Sequence, residues 1–150
     1  MARHVKALPS RVESLLNECR KHGLRRTRPL ETVLTVLAAG NTPISWSQLT
    51  REKSIKEACD PATVFRLVTR LEKAGLVRKL GTHSRSIHYF LHVPGDDHHD
   101  FLVCSECGVI KSIDIACPVE KIERAIERSS GFKNLYHELE FYGLCPECQP

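Results

Sequence analysis

No apolar run in these 150 residues approaches the roughly 20 needed to cross a bilayer, which excludes a membrane-spanning helix. The opening Met1-Ala2-Arg3-His4 leads into no apolar signal core, so the chain is expected to stay in the cytoplasm. That absence changes the meaning of its seven cysteines: in a reducing compartment they point to metal or redox chemistry rather than to a disulfide framework. Repeats and low-complexity tracts are lacking too. What remains is an ordinary globular composition, 41% hydrophobic and 27% charged, long enough for one domain or for two of about 75 residues.

Charge favours two. Residues 1–85 carry 17 Lys and Arg against 7 Asp and Glu, a net of +10, while residues 86–150 carry 5 against 11, a net of −6. A basic half followed by an acidic half rich in Cys and His suggests polyanion binding in the first and cation binding in the second.

The densest chemistry lies in His98-His99-Asp100-Phe101-Leu102-Val103-Cys104-Ser105-Glu106-Cys107, and a second CxxC pair, Cys145-Pro146-Glu147-Cys148, follows near the end. Two such pairs joined by a folded segment can set Cys104, Cys107, Cys145 and Cys148 tetrahedrally around one structural Zn2+. A single pair would also fit a dithiol redox switch. A zinc hydrolase is disfavoured, because four thiolates close the shell that a catalytic zinc must keep open. The deaminase pattern is absent as well: Leu144, not proline, precedes Cys145, and no His-x-Glu stands before the first pair.

The basic half reads as helices punctuated by caps. Ser10 and Glu13 suggest a capping box for a first helix with Val12, Leu15, Leu16 and Cys19 inward, stopped at Gly23. Thr27 precedes a second helix, with Leu30, Val33, Leu34, Leu37 and Ala38 on one side and Gly40 at its end. Ser45 and Gln48 open a short third around Trp46 and Leu49. Asp60-Pro61 starts a fourth, which ends near Ala74 and Gly75. In that helix Val64, Leu67, Val68 and Leu71 form the inner stripe. Ala62, Arg66, Thr69, Arg70 and Lys73 lie opposite, flanked by Thr63 and Phe65. Val77–Leu80 and Ile87–Phe90 then predict two strands around a basic turn, a wing whose Arg78, Lys79 or Arg85 would touch phosphates while the helix enters the major groove.

In the acidic half, Phe101–Val103 and Val109–Ile113 read as strands around the first thiol pair. Pro118 begins a helix to about Arg128 with Val119, Ile122 and Ile126 inward, and Gly131 ends it. Leu135–Tyr142 alternates as a strand, with His137 on the apolar face beside Leu135, Leu139 and Phe141. On pattern alone, such a histidine is a core residue.

The run from Asp60 to Val77, the His98-His99-Asp100 sequence and both CxxC pairs stand in an order that resembles the ferric uptake regulator family of bacterial metal-responsive repressors, over nearly the whole chain. The resemblance implies an α+β protein: a winged helix-turn-helix DNA-binding domain, placed at residues 1–90, then a small α/β metal-binding and dimerisation domain at 91–150 with a four-cysteine zinc site. It implies a homodimeric, non-enzymatic repressor of metal-homeostasis genes, bound to a palindromic operator in double-stranded DNA with a divalent metal as corepressor. A thiol-based or peroxide-sensing regulator is the alternative. The resemblance also assigns a regulatory site for Fe2+, Zn2+ or Mn2+ to His98, Asp100, Glu120 and His137, a nitrogen and oxygen set those metals accept.

The chain departs from that pattern in places. Near positions where the family commonly has ligands of a hinge-proximal site stand Pro43, Phe90 or His92, and Phe101, so a second metal would need an unconventional group drawn from His88, His92 and His99. Phe65 replaces a common tyrosine in the DNA-reading helix, exchanging a hydroxyl contact for apolar contact with a thymine methyl. Thr27-Arg28-Pro29-Leu30 also differs from the usual Thr-Pro-Gln-Arg. Cys19 is most simply a core residue, and Cys59 and Cys117 stand isolated in the sequence.

Overall fold

The computed structural model describes residues 8–81, 86–93, 99–113, 115–133 and 135–150. The chain divides into two compact units, Met1–Asp96 and Asp97–Pro150. The division falls later than residue 90 because Leu91 is the buried last residue of a strand and pairs with Val77.

In the first unit helices α1 (Leu8–Lys21) and α2 (Arg28–Ala39) pack together. They are followed by strand β1 (Ile44–Ser45), α3 (Trp46–Arg51), α4 (Lys53–Ala58), α5 (Pro61–Lys73), β2 (Val77–Leu80) and β3 (His88–Leu91). The expected stripes are buried: Val12, Leu15, Leu16 and Cys19 from α1 meet Leu30, Val33, Leu34 and Leu37 from α2, with Leu49, Ile55, Val64, Val68 and Leu71 completing the core. Burial pushes the Cys19 thiol up to about 11, which keeps it protonated and unreactive.

The helix starts follow local chemistry. Thr27 accepts from the Leu30 amide, Ser45 and Gln48 form a reciprocal capping box, and Asp60 accepts from the Thr63 amide ahead of Pro61. Ser10 and Glu13 form no such box. Helix α1 already includes Ser10, whose carbonyl accepts from Ser14, and Glu13 pairs with Arg26 at 2.9 Å. Helix α4 has no counterpart in the sequence pattern: it is short and inserts only Ile55. The sheet runs β1-β3-β2, antiparallel throughout, with Lys79 opposite Tyr89. The tip of the wing, including Arg85, lies outside the described residues.

The second unit contains β4 (Asp100–Cys104), β5 (Ile110–Ile113), α6 (Glu120–Ser130) and β6 (Leu139–Gly143). Its sheet has the order β5-β4-β6, with β5 antiparallel and β6 parallel to β4. The alternating pattern from Leu135 becomes strand only at Leu139, where pairing opposite Asp100 begins. Ile122 and Ile126 do not enter a core within the chain. No residue of α6 is buried, and these two are 55% and 47% exposed.

Candidate metal centre and nucleic-acid interface

The parallel pairing of β6 with β4 sets Gly143 beside Cys104, and Ser105 donates its amide to the Gly143 carbonyl at 2.9 Å. Cys145, two residues further on, therefore reaches Cys104, donating its amide to that Sγ at 3.4 Å. Each thiol pair sits on its own turn: Gly108 donates to the Cys104 carbonyl, and Cys148 donates to that of Cys145. At Gly108 φ is +74°, a left-handed turn that glycine adopts without a Cβ penalty.

The four sulfurs all lie within 4.8 Å of one another, and the Cys107 and Cys145 Sγ atoms are 3.8 Å apart. A tetrahedral ion with zinc–sulfur bonds of about 2.3 Å separates its sulfurs by about 3.8 Å, so the cluster closes around zinc with shifts of no more than about 1 Å between sulfurs. Amide donation from Cys145, and then from Cys107, brings the Cys104 thiol down to about 6, whereas hydrogen bonding with the Cys145 and Cys107 thiols pushes Cys148 up to about 12. One thiolate thus discourages the next. A dication removes that conflict by stabilising all four thiolates together. Among the described residues this is the one group of three or more ligand side chains within reach of a single ion.

The other expected ligands are arranged differently. His98 lies outside the described residues. Asp100 is a buried charged residue, 2% exposed, at the start of β4. Glu120 opens α6 but pairs with Arg124 one turn on. His137 is engaged on both ring nitrogens: Nδ1 lies 3.0 Å from Glu123 Oε2, and Nε2 lies 3.2 Å from Cys117 Sγ. Sequence reasoning misses both Glu123 and Cys117. The available signal is that Glu120 and Glu123, three residues apart, share one helix face.

The histidines of the alternative group are divided between the two units. His88 and His92 are four residues apart along extended chain, about 13 Å, beyond the span of one ion. His88 Nδ1 lies 3.1 Å from the Ser86 carbonyl, and His92 Nε2 lies 3.1 Å from the Arg78 guanidinium. His99 instead stacks on Phe101 in the second unit.

On α5 the division into two faces holds. Val64, Val68 and Leu71 are buried, Leu67 is half-buried against the core, and Ala62, Phe65, Arg66, Arg70 and Lys73 are exposed, with Thr63 and Thr69 half-buried. Phe65 is 59% exposed yet braced edge-on by Trp46, their ring centroids 6.0 Å apart. Arg66 donates to Thr63 Oγ1 at 3.0 Å, while Arg70 leans back to donate to the Gly23 carbonyl at 3.3 Å.

A winged helix-turn-helix unit together with a small sheet unit closed by a zinc-type thiol cluster defines a metal-binding transcriptional regulator. The profile of the ferric uptake regulator family matches residues 21–142, and the chain belongs to that family of metal-responsive regulators. A ferric uptake regulation protein of Legionella pneumophila is 31% identical over 129 residues, covering 85% of this chain and 93% of its own. The structure of the Helicobacter pylori ferric uptake regulator, described as having three functional metal-binding sites, superposes with a TM-score of 0.71 at 26% identity over 99% of this chain and 98% of its own. The Pseudomonas aeruginosa regulator solved with manganese gives 0.69 at 28% identity over 87% and 96%. No helix of the described residues is long and apolar enough to cross a membrane.

Proposed function

We propose that this protein is a cytoplasmic, homodimeric repressor that binds a palindromic operator when a divalent metal occupies its second unit. The observation that carries the reading is α5, whose buried Val64, Val68 and Leu71 leave Phe65, Arg66 and Lys73 facing outward beside a β-wing in the basic part of the chain. Such a face is suited to the major groove, with Arg78 and Lys79 on the wing strand β2, the Lys79 ammonium exchanging its exposed 2.9 Å pair with Glu72 for a phosphate. Dimerisation is supported by exposed apolar side chains of the second unit, Ile122 and Ile126 on α6 and Leu102 and Phe141 on the sheet.

The corepressor is assigned to the end of the sheet where Asp100 and His137 lie, together with Glu120 and His98. Asp100 opposes Leu139, two residues beyond His137. The Glu120–Arg124 pair is an exposed ion pair, so it holds Glu120 weakly against a cation. For metal to repress, it must bind the operator-competent arrangement more tightly than the others. The test starts from protein keeping one zinc per chain in its thiol cluster and titrates operator DNA with Fe2+, Mn2+ or Zn2+ present, in wild type and in a His137→Ala, Asp100→Ala double variant. Metal-dependent binding should be lost in the variant. If it persists unchanged, the regulatory ion sits elsewhere. If operator binding instead follows thiol oxidation with loss of zinc, the redox-sensing alternative is correct.

A further inference from the structure

Cys117 is half-buried, reduced and unused by any role assigned so far. It precedes α6 by three residues, and its Sγ lies 3.2 Å from His137 Nε2. The other nitrogen of that ring faces Glu123 Oε2 at 3.0 Å. A carboxylate only accepts, so Nδ1 carries the ring proton and the lone pair is on Nε2, directed at the thiol. This is the arrangement in which metal-binding histidines are held, with a carboxylate behind the ring and the metal in front.

We propose that Cys117 is a thiolate ligand beside His137 in the exchangeable metal site, and that it biases the site toward zinc over manganese and iron(II). The inference rests on the proposed regulatory role of His137 and adds a ligand to that site. One tetrahedral zinc, with bonds of about 2.3 Å to sulfur and about 2.0 Å to nitrogen, holds the two atoms roughly 3.5 Å apart. The observed 3.2 Å needs only a few tenths of an ångström of opening. The ion takes the place of the thiol proton between Sγ and Nε2, and that proton passes to solvent. A thiolate favours zinc and cobalt, whereas an all nitrogen and oxygen set is as well suited to manganese and iron. Substitution of the sulfur should therefore change selectivity more than it changes binding as such.

The experiment uses full-length protein with the thiol cluster filled by zinc, verified at one zinc per chain before and after each titration. Co2+ is added to wild type, Cys117→Ser and His137→Ala while absorbance is recorded, and Zn2+ and Mn2+ affinities are measured by competition. Wild type should show a near-ultraviolet thiolate-to-cobalt charge-transfer band on binding the added cobalt. Cys117→Ser should lose that band and at least about tenfold of the zinc-over-manganese preference while still binding manganese. A wild-type titration without the band overturns the proposal whether or not the variant folds, and so does a Cys117→Ser protein that keeps both the band and the preference. If His137→Ala titrates like wild type, the regulatory assignment of His137 fails and the proposal falls with it. If only Cys117→Ser is unchanged, the proposal alone is refuted.

Discussion

Removing zinc from the thiol cluster should unfold the second unit and leave the first intact. Among the described residues of the second unit the buried apolar side chains are Phe101, Val103 and Cys104. Full burial of the phenylalanine and the valine is worth about 1.5–3 kcal/mol each, set against about 1–2 kcal/mol of backbone entropy for every residue ordered. A structural zinc contributes about 10–16 kcal/mol near neutral pH, so the metal outweighs the apolar burial. The first unit has its own continuous core of α1, α2 and α5 side chains and loses nothing directly. The perturbation is Cys104→Ser, or chelation of wild type, and the assay is amide hydrogen exchange resolved by peptide together with zinc content. Amides of β4, β5 and β6 should lose protection by about two orders of magnitude or more, while those of α2 and α5 keep theirs. Zinc loss with undiminished protection in the sheet would refute the reasoning.

Three further outcomes are expected. Arg66→Ala should weaken operator binding by about 1–3 kcal/mol if the side chain reads a base, or reduce its salt dependence if it contacts phosphate; fluorescence anisotropy across a salt series separates the two. Replacing Ile122 and Ile126 together with glutamate should dissociate the dimer without unfolding the first unit, as read by analytical ultracentrifugation and the exchange pattern. The Asp60 carboxyl is held below its ordinary 3.8, first by the Thr63 amide and then by the Thr63 hydroxyl. Because its folded value is depressed, its contribution to stability is present above the ordinary 3.8 and is lost as pH falls through the lower folded value. Asp60→Asn, which caps without titrating, should therefore flatten the acid limb of the melting profile below about pH 4 relative to wild type, and identical acid limbs would count against the cap.

Much of the first unit is legible in the sequence because its signals are local. Thr27, Ser45 with Gln48, and Asp60 each satisfy amides within three residues, and the inner stripes of α1, α2 and α5 repeat over several turns. Helix α4 escapes because six residues with one buried side chain, Ile55, make no period. Strand β1 escapes because two residues become a strand only by pairing with Tyr89 and His88. The thiol cluster is legible from spacing, since CxxC turns recur wherever two sulfurs must share an ion. The surroundings of His137 are not, because Cys117 and Glu123 lie 20 and 14 residues away and only the fold sets them against the ring. For α6 the sequence shows the periodicity but not its meaning: Ile122 and Ile126 do form a stripe, and that stripe is about half exposed rather than buried.

The uneven construction of the two units bears on how a metal could regulate such a protein. The first unit combines a closed apolar core with three side-chain helix caps, so α5 needs no effector in order to form. The second unit buries little apolar surface of its own and places its exposed apolar residues on α6 and the sheet. Its stability must therefore come from bound metal and a partner surface, both of which act by mass action and both of which can be withdrawn. An ion at His137 would lie beside α6, through Glu123, and close to β6, which begins two residues later. It would thus bias the elements that carry the half-exposed stripe rather than the DNA-reading helix itself. On this argument, mutations that weaken the corepressor site should lower operator affinity through the pairing and ordering of second units, and the intrinsic affinity of an isolated recognition helix for one half-site should not change.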